Sequence, residues 1–299
     1  TEIGSGPLES IIRMEVEGLE GCDTDAVIAT LHDSLTLSRS MVQDFLQMTD
    51  IVEAATFRFS RHADRSPDNG DAYRETGEFL RWLLADNFVF MGVVHGDSHY
   101  GFARDTNAER WPTAGLSDWA PCEGEPVQVR KGRRESPVHR SGRVDEIRVE
   151  LPGDDRSRDL IIQGLFTYRA LTQPSRHVPL LRRVLGHILR DDESKPGSYR
   201  YKGVANVFDS LPTEFLFTAT QQQVVTIINQ VLEAEQRQVA SAQILQDQDS
   251  TFALAAMPRT RWSERLGEQI EAALIEGTGA SYTDQGIFVS RYNTMLVHY

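Results

Sequence analysis

The stretch Glu135-Ser-Pro-Val-His-Arg-Ser-Gly-Arg-Val-Asp-Glu-Ile-Arg-Val-Glu-Leu151, followed after a polar turn by Asp159-Leu-Ile-Ile-Gln-Gly-Leu-Phe-Thr-Tyr168 and then His177-Val-Pro-Leu-Leu-Arg-Arg183, decides the fold. Val144, Ile147 and Val149 lie among charged residues in near-alternation, which predicts a strand with one buried face. Leu160 to Phe166 is a denser apolar run, the pattern of a strand covered on both sides. Pro152, Gly153, Asp154 and Asp155 between them supply turn chemistry, so the two strands are expected to form a hairpin. Pro179 suits a first helical turn, and Leu180, Leu181, Val184, Leu185, Ile188 and Leu189 recur at helical spacing.

Upstream of this stretch, Leu8, Ile11, Ile12, Met14 and Val16 predict a strand with no visible partner. A helix from an Asp23 or Thr24 cap through Leu35 comes next, then a second from Ser38 or Ser40 through Phe59. Arg61 to Asp71 contains Ser66, Pro67, Asp68, Asn69 and Gly70, a concentration of breakers that marks a linker. Asp71 is expected to cap a helix with Phe79, Leu80 and Leu83 on its apolar side, leading into a buried strand over Phe88 to Val94 and a bend at Gly96-Asp97-Ser98. Asn107 to Pro126 is irregular, and Val127 to Val129 resumes a strand. Downstream, Gly203–Ser210 and Thr213–Val231 predict two helices. Val239–Leu245, Phe252–Met257, a helix from Ser263 to Ile275, Ile287–Val289 and Met295–Val297 then follow as strand, strand, helix, strand, strand. That order is most of a ferredoxin-like module, in which one sheet face carries the helices.

At 299 residues with 40% hydrophobic content, the chain can bury a sizeable core. It opens on Thr1 with no basic-then-apolar leader and holds no apolar run long enough to span a bilayer. The missing initiator Met and the unfinished modules at both ends suggest an excerpt of a longer, cytoplasmic protein. Cys22 and Cys122 lack metal-type spacing and are expected as reduced thiols. A formal net charge of −13 argues against general nucleic-acid binding.

Catalytic signatures are sparse. A dinucleotide fold needs a Gly-x-Gly-x-x-Gly turn between strand and helix, and none occurs; Walker, nucleophile-elbow and His-Glu-x-x-His patterns are missing as well. His95, Asp97 and His99 flank a turn in a metal-like array, yet without a fourth nearby ligand an ordinary polar turn explains them better. Arg130, Lys131, Arg133, Arg134, Arg140 and Arg143 form a basic run that suits a solvated hairpin, an anion cradle or a dock for an acidic partner. His139 with Asp145 has the composition of an oriented imidazole, although a structural role accounts for it more simply.

Ser136, Val138, His139, Arg140 and Asp145, then Gly164-Leu165-Phe166-Thr167 and Pro179-Leu180-Leu181-Arg182, resemble the N-terminal region of the large bacterial NAD-specific glutamate dehydrogenases. The resemblance extends over most of the chain, including Phe79-Leu80-Arg81-Trp82-Leu83, Phe88 to Gly92, and Leu211-Pro212-Thr213-Glu214-Phe215-Leu216-Phe217. It implies an α+β architecture of tandem ACT-like, ferredoxin-like modules joined by helical connectors. The expected division is the tail of a first module plus a connector over 1–60, a linker over 61–71, a second module over 72–235 and a truncated third over 236–299. The full-length protein would oxidise glutamate to 2-oxoglutarate and ammonia with NAD; this segment itself would hold no cofactor and no catalytic residue. Its implied role is regulation and assembly, with the catalytic domain of the same chain, other copies in a homo-oligomer and a small amino-acid effector as partners, and no nucleic acid or membrane. His139, Arg140, Asp145 and Arg182 are the candidate effector or interface residues. The alternatives are a free-standing metal-dependent hydrolase and a purely structural spacer.

Overall fold

A computed structural model describes residues 2–5, 10–13, 21, 23–104, 125–136, 138–140, 142–153, 159–246, 251–280, 285–289 and 294–299. Cys22, Cys122, Leu8, Met14, Val16, Asp154, Asp155 and nearly all of the irregular 107–126 stretch lie outside them. In chain order the elements are β1 (Glu2–Ser5), β2 (Ser10–Arg13), α1 (Thr24–Ala63), α2 (Gly70–Trp82), β3 (Phe88–His95), β4 (Ser98–Gly101), β5 (Val127–Glu135), β6 (Arg143–Glu150) and β7 (Asp159–Phe166). There follow α3 (Tyr168–Leu171), α4 (Leu181–Asp191), α5 (Tyr199–Ser210), α6 (Thr213–Thr218), α7 (Gln221–Arg237), β8 (Ser241–Gln246), β9 (Thr251–Pro258), α8 (Glu264–Thr278), β10 (Gly286–Val289) and β11 (Thr294–His298).

The decisive hairpin forms as expected, with Ile147 opposite Ile162 and Asp145 opposite Gly164. It is the centre of a five-stranded antiparallel sheet ordered β4-β3-β7-β6-β5. Ile147, Leu160, Ile162, Phe166 and Val93 point into the main core with Met48, Val52 and Phe59 of α1 and Phe79 and Leu80 of α2. Side chains alternate along a strand, so Val144 and Leu165 point the other way and pack with Met41, Met91 and Phe102. The sheet is therefore covered on both faces. β6 departs from the expected half-exposed pattern: Asp145 and Glu146 are buried together with Val144 and Ile147. Gly164 is required where β7 crosses β3, because a Cβ there would lie 1.9 Å from the Val89 carbonyl oxygen. The register shifts at that point, between Phe90 and Gly92.

Several boundaries differ from expectation. α1 is one helix of 40 residues capped by Asp23, not two. Ser38 and Ser40 cap nothing; their hydroxyls donate to the carbonyls of Ser34 and Thr36 one turn back. The 61–71 stretch is the end of α1, a short turn and the start of α2, with buried residues on both sides entering one hydrophobic cluster. The N-cap of α2 is Asn69; Asp71 sits in the first turn and pairs with Arg74. Pro179 precedes α4 instead of opening it, since Leu180 intervenes at φ +71°. β2 has a partner in β1. The expected helix over 213–231 is two, because Thr220 starts α7 with a reciprocal capping box to Gln223.

The C-terminal sheet is antiparallel and ordered β10-β11-β9-β8. Ala255, Met257, Met295 and Val297 pack against Trp262 and against Leu266 and Ile270 of α8. The alternate residues Leu254, Ala256 and Leu296 join the main core with Val224, Ile228 and Val231 of α7. α7 and α8 thus cover opposite faces, whereas a single helix-bearing face was expected.

Candidate functional site

The basic run is largely consumed within the sheet. Lys131 on β5 stands opposite Asp145 on β6 in the strand register, and its ammonium lies 2.6 Å from Asp145 Oδ1 and 2.9 Å from Glu214 Oε1. Asp145 also accepts a hydrogen bond of 3.1 Å from the Phe166 amide. Arg140 donates to the Phe166 carbonyl at 3.4 Å and approaches Glu214 at 3.9 Å. One residue along, where the side chains turn to the other face, Arg130 pairs with Glu146 at 2.9 Å, and Gln163 donates to the same carboxylate at 3.0 Å. Arg134 is buried, donates to the Phe102 carbonyl and lies over the Phe102 ring, 4.6 Å from its centroid.

Electrostatics close this network. Burial disfavours the Lys131 ammonium, but Asp145 and Glu214 outweigh it and raise the pKa above the ordinary lysine value. Lys131 is accordingly protonated at neutral pH, which rules it out as a nucleophile or base there. Burial pushes the Asp145 carboxyl upward against the pull of Lys131. Two cations and two carboxylates meet, and their contacts run between β5, β6, the end of β7 and α6.

α6 is the joint of the molecule. Glu214 bonds Lys131 of the five-stranded sheet. Phe217 stacks on Phe166 with centroids 4.9 Å apart, and Phe215 stacks on Phe252 of β9. Phe217 also meets Phe79 and Trp82 of α2. Three residues of one short helix therefore tie both large sheets and α2 together.

Of the four candidate residues, Arg140 and Asp145 meet at this joint. His139 is exposed at φ +70°, and Asp145 is engaged by Lys131 and the Phe166 amide instead of by an imidazole. Arg182 lies elsewhere: it forms a two-pronged pair with Glu75 of α2 at 2.7 and 2.8 Å and contacts Glu78. Glu75 also accepts the Leu180 amide at 3.0 Å, fixing the start of α4. His95 and His99 do not converge: Val94 stands opposite His99 and His95 opposite Ser98, so the two imidazoles leave opposite faces of the hairpin. Among the described residues there is no group of three or more His, Cys, Asp or Glu able to hold a metal, and no helix is long and apolar enough to cross a membrane.

One buried charge had no sequence signal. Asp44 of α1 accepts from the Gly101 amide at 2.8 Å and from Arg104 Nη2 at 2.7 Å. Hydrogen bonding from Arg104 holds its carboxyl below the usual range, against the opposing effect of burial. The position reads as one more polar residue on a helix, since its partners are about sixty positions away.

Fold and site define an α+β protein whose buried charges and aromatic stacks clamp a helical segment onto both large sheets. Residues 178–237, which run through α4 to α7, match the family described as glutamate dehydrogenase, helical motif 1. Similarity to NAD-specific glutamate dehydrogenases extends well beyond that segment. The chain is 23% identical to the one from Halomonas elongata over 94% of its own length and 19% of the relative's. It is 24% identical to that of Mycobacterium tuberculosis over 91% of its length and 17% of the relative's, and 25% identical to that of Pseudomonas aeruginosa over 73% and 15%. The chain is thus similar to a segment of the NAD-specific glutamate dehydrogenases and spans less than a fifth of the length of these relatives.

Proposed function

We propose that this chain is a regulatory and assembly segment of an NAD-dependent glutamate dehydrogenase, built from ACT-like modules set around a helical motif. The observation that carries this reading is α6, which lies inside the matched helical motif and contacts both sheets through Glu214, Phe215 and Phe217. A displacement of either sheet must strain the same short helix, so a ligand with different affinity for two sheet arrangements would be felt along α4 to α7. The order β10-β11-β9-β8, with β11 at the inner position that the first strand of a ferredoxin-like unit takes, supports the module reading. In it α8 is the module's own helix and α7 belongs to the helical motif.

The parent enzyme would oxidise glutamate with NAD, and this segment would tune or position that activity. Two measurements test the proposal. The 299-residue chain should show no glutamate-dependent reduction of NAD, and detectable turnover would refute a regulatory role. A panel of amino acids should contain at least one that raises the melting temperature saturably, as a ligand of the folded state must; a flat panel would remove effector sensing and leave assembly alone.

A further inference from the structure

A second cationic feature lies apart from the joint. The last turns of α1 carry Arg58, Arg61 and His62, and Arg65 follows in the turn just beyond the helix end; all four line one side of it. They line a groove of about 470 Å³, whose other wall is the start of the turn after β6, Pro152 and Gly153. That volume lies within the range of small-molecule sites. Arg58 is held in place by donating to the Pro152 carbonyl at 2.6 Å. Gly153 is at φ +119°, and a Cβ there would lie 2.8 Å from the Arg58 guanidinium, so the wall approaches this closely only with glycine.

The groove is unusual for this chain. With a net charge of −13, the protein has few basic side chains to spare, yet none of the described lining residues is acidic. Arg61 and Arg65 are exposed and make no ion pair among the described residues. Asp64, the carboxylate between them in sequence, faces Arg74 at 3.9 Å. Complementing the helix dipole accounts for one or two cations in a last turn. The two exposed guanidiniums, Arg61 and Arg65, repel each other at this spacing by roughly a few tenths of a kcal/mol, a cost that a bound anion would reverse.

We propose that this groove binds a small polyanion bearing phosphate or carboxylate groups, gripped by Arg61 and Arg65 with Arg58 and the His62 ring at its base. Guanidinium forks match the paired oxygens of both groups. This site is independent of the glutamate dehydrogenase reading and of the α6 joint.

Calorimetric titration of the 299-residue chain with inorganic pyrophosphate, and separately with citrate, at fixed ionic strength tests it. Saturable one-site binding is expected, weakened roughly tenfold or more in the Arg61→Gln/Arg65→Gln double variant. The exposed pair changed in Arg259→Gln/Arg261→Gln should leave affinity as it was. Both substitutions lie on the surface, and unchanged helical ellipticity and melting temperature would verify that the fold is intact. Binding of pyrophosphate alone identifies a phosphate site, binding of citrate alone a carboxylate site. No saturable binding of either, equal affinity in the Arg61→Gln/Arg65→Gln variant, or the same loss in the control pair would overturn the proposal.

Discussion

Lys131 shows how much one buried cation holds. Among the described residues its ammonium alone bonds both Asp145 and Glu214, so Lys131→Met leaves two carboxylates facing each other in a desolvated corner. The expected loss is about 3 kcal/mol, at the low end for a broken buried pair because the lysine is partly exposed. A urea unfolding curve measures it, and adding Glu214→Gln should recover part. Asp44 gives the pH counterpart. Its carboxyl is depressed in the folded state, so the stability it contributes is present above the ordinary aspartate value and is lost as pH falls through the folded one. The stability gap between wild type and Asp44→Asn should therefore narrow on acidification, as followed by denaturant midpoints across the acid range. Asp145 acts with the opposite sign, since its raised folded value favours the protonated form. Neither role was legible beforehand. The charged residues between Val144 and Val149 look like a solvent face, and nothing local reveals that Glu214, 83 positions from Lys131, supplies a counter-charge.

At the scale of elements, strand identity was legible and helix continuity was not. Density of branched and aromatic residues marked β3 and β7, since only buried sheet positions tolerate such runs, while the near-alternation of Val144, Ile147 and Val149 with charges marked β6. In α1, Ser38 and Ser40 resemble caps because serine competes with the backbone for hydrogen bonds, but when the flanking turns are already helical the same hydroxyls bond one turn back. α6 and α7 fail in the other direction: the apolar spacing runs on through Thr220, and only the Thr220–Gln223 box, a pattern easily passed over, marks the break. Ser38→Pro separates the two readings of α1. Proline inside a helix costs about 3 kcal/mol locally. The turns ahead of Ser38 are mostly exposed, whereas Met41, Met48 and Val52 beyond it are buried. The variant should therefore lose helical ellipticity from the first turns of α1 while its melting temperature barely moves. Unchanged ellipticity would mean that the helix is already broken at that point.

For the whole molecule, the question is whether two sheets with separate inner faces unfold as one body. Leu254, Ala256 and Leu296 of the C-terminal sheet belong to the same hydrophobic cluster as Phe59, Ile147 and Phe166, which favours a single transition. The connection is narrow, however. It passes through α7 and through the Phe215–Phe252 stack, where an interplanar angle of 16° brings the two rings face to face. On its outer face the same sheet holds a smaller cluster of its own, Ala255, Met257, Met295 and Val297 with α8, so it has some capacity to persist or melt separately. Truncating one ring of the stack removes aromatic burial of about 3 kcal/mol at this joint and little elsewhere. In the wild-type chain, near- and far-ultraviolet dichroism should report coincident melting. In Phe252→Ala the transitions should separate, and amide exchange should quicken first along β8, β9 and β11 while β3, β6 and β7 stay protected. Uniform loss of protection across both sheets would instead show that α7 alone couples them, and α6 would then lose its place as the element through which one sheet senses the other.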